Sequence, residues 1–122
     1  MKPQGIQMTW VVVHDFNQAK EFFTNTLGLT MTADSPEYNW AEFSSPQGAR
    51  IGVAGQSDQC PIKAGGNAVV CITVENIEEA QKELEEKGTH IIGAIQEVPG
   101  HVKLLLIQDP SGNYYQLAQM LS

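Results

Sequence analysis

Apolar residues along this chain recur with two periods, one near two and one near 3.6, and the whole pattern is written twice. Residues Ile6 to His14 contain the run Trp10-Val11-Val12-Val13, whose aromatic and β-branched side chains predict a strand. Asp15 then predicts a helix start, because its side chain can cap the first turn and Gln18 stands at the capping-box position. Phe16, Ala19, Phe23 and Leu27 fall on one helical face, and Gly28 is placed to end the helix in the left-handed conformation. Strands are predicted at about 29–34, 39–45 and 49–55, the last two joined by the turn Ser45-Pro46-Gln47-Gly48. Residues 56–66 have no periodicity, are rich in turn formers and read as a linker.

The pattern then restarts. Asn67 to Val74 predicts a strand, Asn76 a cap with Glu79 at the capping-box position, and Ile77, Ala80 and Leu84 the buried stripe of a helix that Gly88 ends. Strands are predicted at about 89–98, 101–108 and 113–119, the last two joined by Asp109-Pro110-Ser111-Gly112-Asn113. Val13-His14-Asp15 and Val74-Glu75-Asn76 lie 61 residues apart, Gly28 and Gly88 lie 60 apart, and Pro46 and Pro110 lie 64 apart. Two βαβββ modules in tandem, about 5–55 and about 67–119 within one domain spanning 1–122, account for this order.

Composition narrows the partners. The 122 residues suit a single domain, and 42% apolar with 17% charged residues is ordinary for a globular protein. A net charge of −7, with only seven Lys and Arg, speaks against nucleic acid and against an anionic membrane surface, both of which need a basic face. Two cysteines make no disulfide framework, and Cys71, inside an apolar run, is expected to be a small core residue. The polar start Met1-Lys2-Pro3-Gln4-Gly5 does not resemble a signal peptide, so a reduced, cytoplasmic location is expected.

Two segments carry a family likeness. Val13-His14-Asp15-Phe16, continuing through Phe22-Phe23 to Leu27-Gly28-Leu29, resembles the first strand and helix of vicinal-oxygen-chelate proteins, the superfamily of glyoxalases, bleomycin-resistance proteins and extradiol dioxygenases. Asp109-Pro110-Ser111-Gly112-Asn113-Tyr114-Tyr115-Gln116-Leu117 resembles their closing motif. The resemblance implies an α+β fold in which tandem βαβββ modules form curved mixed sheets around a concave cleft. It also implies a metal site on that cleft, with one ligand from the first and fourth strand of each module. Carried onto this sequence, those positions are Met8, Gly52, Val69 and Gln116. A divalent cation wants three or more oxygen or imidazole donors, whereas these residues offer a thioether, no side chain, an isopropyl group and one amide. A register slip would bring Gln7 in place of Met8, but it would turn the strand's side chains to the other face. No cofactor is therefore expected, and a divalent metal only at a relocated site.

Alternation along the strands assigns the rest of the concave face. Met8 brings Trp10 and Val12, Gly52 brings Arg50 and Ala54, Val69 brings Cys71, Thr73 and Asn67, and Gln116 brings Tyr114 and Ala118. Val11, Val13, Val70, Ile72 and Val74 then face the helices. The candidate ligand-binding set is Met8, Trp10, Arg50, Gly52, Val69, Cys71, Tyr114 and Gln116, with Gly52 expected to leave room for a ligand. Tyr38, Trp40 and Glu42 are expected to share a face of the third strand. Glu42 and His101 are the candidate acid–base residues, while His14 and His90 are expected to be solvated. Two functions follow. One is metal-free small-molecule binding of an aromatic or amphiphilic ligand in an apolar cleft. The alternative is a glyoxalase-like lyase, isomerase or dioxygenase using a non-standard metal site or acid–base catalysis. Family members commonly pair, so a homodimer is expected.

Overall fold

A computed structural model describes residues 2, 4, 8–58, 60, 62–66 and 69–121. The expectations for Ile6, Gln7 and Asn67 lie outside the described residues. The first module runs β1 (Thr9–Val13), α1 (Phe16–Glu21), β2 (Thr30–Ser35), β3 (Trp40–Ser44) and β4 (Arg50–Gly55). The second repeats it with β5 (Val70–Thr73), α2 (Ile77–Glu86), β6 (His90–Val98), β7 (Val102–Gln108) and β8 (Tyr114–Met120). Each module builds one four-stranded mixed sheet, ordered β1-β4-β3-β2 and β5-β8-β7-β6. In each, the first strand runs parallel to the fourth and the other pairs are antiparallel. This is the α+β arrangement that the repeated hydrophobic pattern predicts.

The helix caps follow the sequence. Asp15 Oδ1 accepts the Gln18 amide at 3.0 Å, and Asn76 Oδ1 accepts the Glu79 amide at 3.0 Å. Gly28 and Gly88 end the two helical segments at φ 72° and 74°, where a Cβ would be strained. One feature of the first helix differs from the expected regular helix. After Glu21 it widens through Phe22–Thr26, where the Leu27 amide reaches back five residues to the Phe22 carbonyl at 2.9 Å. Both phenylalanines stay buried through this wide turn.

Those rings join the modules. Phe23 lies 5.0 Å from Phe43 of its own sheet and 5.7 Å from Tyr115 of the other, and Phe22 lies 5.9 Å from Tyr115 (ring centroids). Val11, Val13, Phe43, Val53, Ile77, Leu105, Ile107 and Leu117 complete one shared core. Val70, Ile72 and Val74 pack against it while only partly buried.

A polar joint reinforces the apolar one. Asp109 is buried at 6% exposure in the turn between β7 and β8. Its Oδ1 accepts the Ser111 amide at 2.8 Å and the Asn113 amide at 2.9 Å. Its Oδ2 accepts the Tyr115 hydroxyl at 2.8 Å and the Asn113 side-chain amide at 3.1 Å. The same Asn113 Nδ2 donates to the Val12 carbonyl at 2.7 Å, and Asn113 Oδ1 accepts the Gly65 amide at 2.8 Å. Ser111 Oγ accepts the His14 amide at 2.8 Å. One turn thus ties together β1, the end of the linker and β8. A buried polar group left without its partner costs about 1–3 kcal/mol, and removing Asp109 strands several donors at once.

Two outcomes check this joint. Asp109→Ala is expected to lower the unfolding free energy by about 3 kcal/mol or more in urea titration, whereas Ser45→Ala, at the matching turn of the first module, changes it by less than about 0.5 kcal/mol. Burial, then the neighbouring Asp109 carboxyl, raise the Tyr115 phenol well above its ordinary 10.0. An acid whose folded pKa is raised favours the fold only while it is neutral. Its contribution is therefore full below about pH 10 and is lost as pH rises beyond that value. The wild-type stability should fall above about pH 10, and Tyr115→Phe, weaker at neutral pH, should lose less over the same window in alkaline denaturation.

Candidate functional site

Register fixes what shares the concave faces. In the first sheet, Trp10 pairs with Gly52 and Gly52 with Glu42, so these three form one row across β1, β4 and β3. In the second, Cys71 pairs with Gln116 and Gln116 with Leu106. Met8 lies half-buried just ahead of β1, and Val69 lies 53% exposed just ahead of β5. The two halves of the candidate set therefore sit on two sheets that share no strand pairing among the described residues. Trp10 is 39% and Tyr114 41% exposed, so each sheet presents an aromatic side chain to the outside.

The first sheet's face is more filled than its sequence suggests. Gly52 was expected to leave room; instead the Trp40 indole lies over it, and a methyl group built on Gly52 would run into that ring. Trp40 stands edge-on to Trp10, with centroids 6.0 Å apart and planes at 63°. Glu42 fixes the arrangement: its Oε2 accepts the Trp40 Nε1–H at 2.9 Å and its Oε1 meets Arg50 Nη1 at 3.3 Å. Both oxygens of this candidate base are thus engaged within the sheet. His101 stands exposed at the turn between β6 and β7, on the other sheet from Glu42. His14 and His90 are exposed, with His90 Nδ1 2.9 Å from Gln108 Oε1.

Four placements correct the sequence reading. Tyr38 is not on the third strand: it lies in the short helical turn Pro36–Tyr38, 80% exposed, and Asn39 at φ 58° breaks the chain before β3 begins. Val12, on the same face as Trp10 by alternation and outside the core cluster of Val11 and Val13, is nevertheless fully buried, so it presents no open surface. Cys71, expected in the core, is exposed, because alternation along β5 turns it away from the core that Val70 and Ile72 face, as its place in the concave-face set implies. Arg50 and Cys71 both line a cleft of about 540 Å³ between the two modules, while none of the other six candidate ligand-binding residues does. A further cleft of about 430 Å³, between α1 and the β7–β8 turn, contains no candidate residue.

The family position of each metal ligand can now be tested against its surroundings. Gly52 offers no donor and is covered by Trp40, and Met8 and Val69 offer no oxygen or imidazole. Gln116 alone carries a suitable atom. Among the described residues, no three His, Cys, Asp or Glu side chains come together as a group able to hold a metal ion. These residues do not fit the family metal, and no chemistry is routed through one.

Comparison with known proteins settles the family. The family model for the Glyoxalase/Bleomycin resistance protein/Dioxygenase superfamily matches residues 5–117. The chain belongs to that superfamily. The fold is shared with a superfamily member from Sphaerobacter thermophilus at 22% identity and TM-score 0.80, covering 98% of this chain and 99% of the other. It is shared with the fosfomycin resistance protein FosX from Listeria monocytogenes, determined with Mn(II) and sulfate, at 13% identity and TM-score 0.76, covering 98% and 92%. It is also shared with lactoylglutathione lyase from Agrobacterium tumefaciens at 18% identity and TM-score 0.74, covering 98% and 96%. No curated protein matches the sequence. No helix among the described residues is long and apolar enough to cross a membrane.

The Trp40–Gly52 contact is open to a double-mutant test. Gly52→Ala should destabilise the protein by about 1–3 kcal/mol through overpacking. Combined with Trp40→Ala, the added cost of Gly52→Ala should fall to near zero, read as a coupling energy from urea unfolding.

Proposed function

We propose that this protein is a metal-free small-molecule-binding member of the glyoxalase/bleomycin-resistance type, taking an aromatic or amphiphilic ligand against Trp10 and Tyr114. One observation carries the reading. The four inherited metal positions hold Met8, Gly52, Val69 and Gln116, and they sit beside exposed aromatic rings in place of a donor set. A face that is mostly apolar, with one or two polar groups such as Gln116, suits orientation of a small organic molecule more than Lewis-acid chemistry. Glu42 has both oxygens engaged by Trp40 and Arg50, which leaves the catalytic alternative without a free carboxylate base.

The same reading includes a homodimer. Within one chain Trp10 and Tyr114 stand on separate sheets, each partly exposed. A second copy that sets the first sheet of one chain against the second sheet of its partner would enclose both rings in one cleft.

Sedimentation equilibrium is expected to give a dimer, and a thermal-shift screen of planar aromatic amphiphiles is expected to raise Tm for several compounds. The first probe is 8-anilino-1-naphthalenesulfonate, with Trp fluorescence as the second readout. Trp10→Ala should weaken binding by about tenfold, the loss of one buried aromatic contact of about 1.4 kcal/mol. A panel that moves neither Tm nor Trp fluorescence would remove the basis of this reading.

A further inference from the structure

The two turns that join the third and fourth strands of each module occupy matching places, yet only one of them closes its seam. Ser45-Pro46-Gln47-Gly48-Ala49 stands where the second module has Asp109-Pro110-Ser111-Gly112-Asn113, and Ile51 stands where it has Tyr115. The register agrees, since Thr9 pairs with Ile51 and Val70 with Tyr115. In the second module, Asp109, Asn113 and Tyr115 fill the seam against the end of β1 with buried side chains. In the first, a serine, an alanine and an isoleucine take their places. The seam there stays open as the cleft of about 540 Å³ running along β5. Its volume lies within the roughly 300–1,000 Å³ range of small-molecule pockets.

The chemistry of the cleft has two parts. Leu27, Leu29, Ile51, Val70, Ile72 and Val74 give it an apolar wall. Arg50 stands in the lining as its one Lys or Arg side chain, and Glu75 as its one carboxylate. Arg50 uses Nη1 for Glu42 at 3.3 Å, in a pair whose side chains remain partly exposed. A guanidinium has five N–H donors in a fixed fork, so this contact leaves donors for a second anion. The other edge of β5 pairs with β8, and the cleft is lined by consecutive residues from Val70 to Glu75. This lining is separate from Trp10, Tyr114 and Gln116, so the site is distinct from the one proposed above.

We infer that the open seam is a second binding site, for an amphiphilic carboxylate whose alkyl chain lies against Leu29, Ile51 and Ile72 and whose head group pairs with Arg50.

The test uses octanoate as the probe and 1-octanol as its uncharged counterpart, followed by methyl and indole NMR of the full chain. Octanoate is expected to shift the methyl signals of Leu29, Ile51 and Ile72 and to leave the Trp10 indole N–H in place. Arg50→Gln should weaken octanoate by roughly tenfold, to the level of 1-octanol, as loss of one charge-assisted pair implies. Ala49→Trp, at an exposed position on the lip, should abolish the shifts without unfolding the protein. Leu29→Phe narrows the cleft from inside and should weaken both probes. The inference is overturned if octanoate shifts only signals of the concave face, such as the Trp10 indole or Leu106, which would leave the proposed function standing. It is equally overturned if the seam methyls respond alike in wild type and Ala49→Trp, or if no signal moves at millimolar octanoate. Conversely, seam shifts with a silent Trp10 in the aromatic screen would retain this site and reject the other.

Discussion

A carboxyl group placed inside a protein needs a partner for each of its oxygens, and Asp109 finds four within six residues of itself. Two of them, Asn113 and Tyr115, are in turn anchored elsewhere: Asn113 on the Val12 carbonyl and Tyr115 between the rings of Phe22 and Phe23. The arrangement couples a local turn to contacts about a hundred residues away in sequence. Without it, two four-stranded sheets with no strand pairing between them among the described residues would be held together mainly by apolar packing, with the His14–Ser111 and Lys87–Asn25 hydrogen bonds beside it. Hydrophobic contact is non-directional, whereas this network fixes where β1 ends relative to β8. The positions of the concave faces, and so of Trp10 and Tyr114, depend on that fix.

The asymmetry between the modules follows from the same joint. Where the second module spends a tyrosine, an asparagine and an aspartate on closing a seam, the first has small residues and a cleft. On the concave side the imbalance is reversed. The first sheet is filled by Trp10 and Trp40 over Gly52, and the second is left with Cys71, Tyr114 and Val69 exposed. The two halves of the repeat thus carry different surfaces. The superfamily's metal positions fall on both halves, and of the four only Gln116 keeps a donor atom.

Much of the architecture was legible in the sequence because it is encoded locally. Caps at Asp15 and Asn76 and stops at Gly28 and Gly88 each depend on residues within one turn, and all appear where the pattern put them. What was not legible depends on contacts distant in sequence. The Asp109 motif could be read as a family signature, but its buried role required knowing that Val12 and His14 lie beside it. Gly52 looked like vacant space because the ring that occupies it arrives from a neighbouring strand, 12 residues earlier at Trp40. Cys71 looked buried because an apolar run does not show which of its residues face the core, and in β5 the faces alternate. The widened turn at Phe22–Thr26 has no signature in composition, since its phenylalanines keep the spacing of an ordinary helix.

The claim at the centre of this account is that the superfamily's metal-binding positions have been given over to an apolar binding face. Elemental analysis of the full chain, purified without chelators, tests it most directly. The account predicts substoichiometric Mn, Fe, Ni and Zn, and no tight site for any of them on titration back into the protein. One transition metal bound tightly per chain, lost on Gln116→Ala, would contradict it.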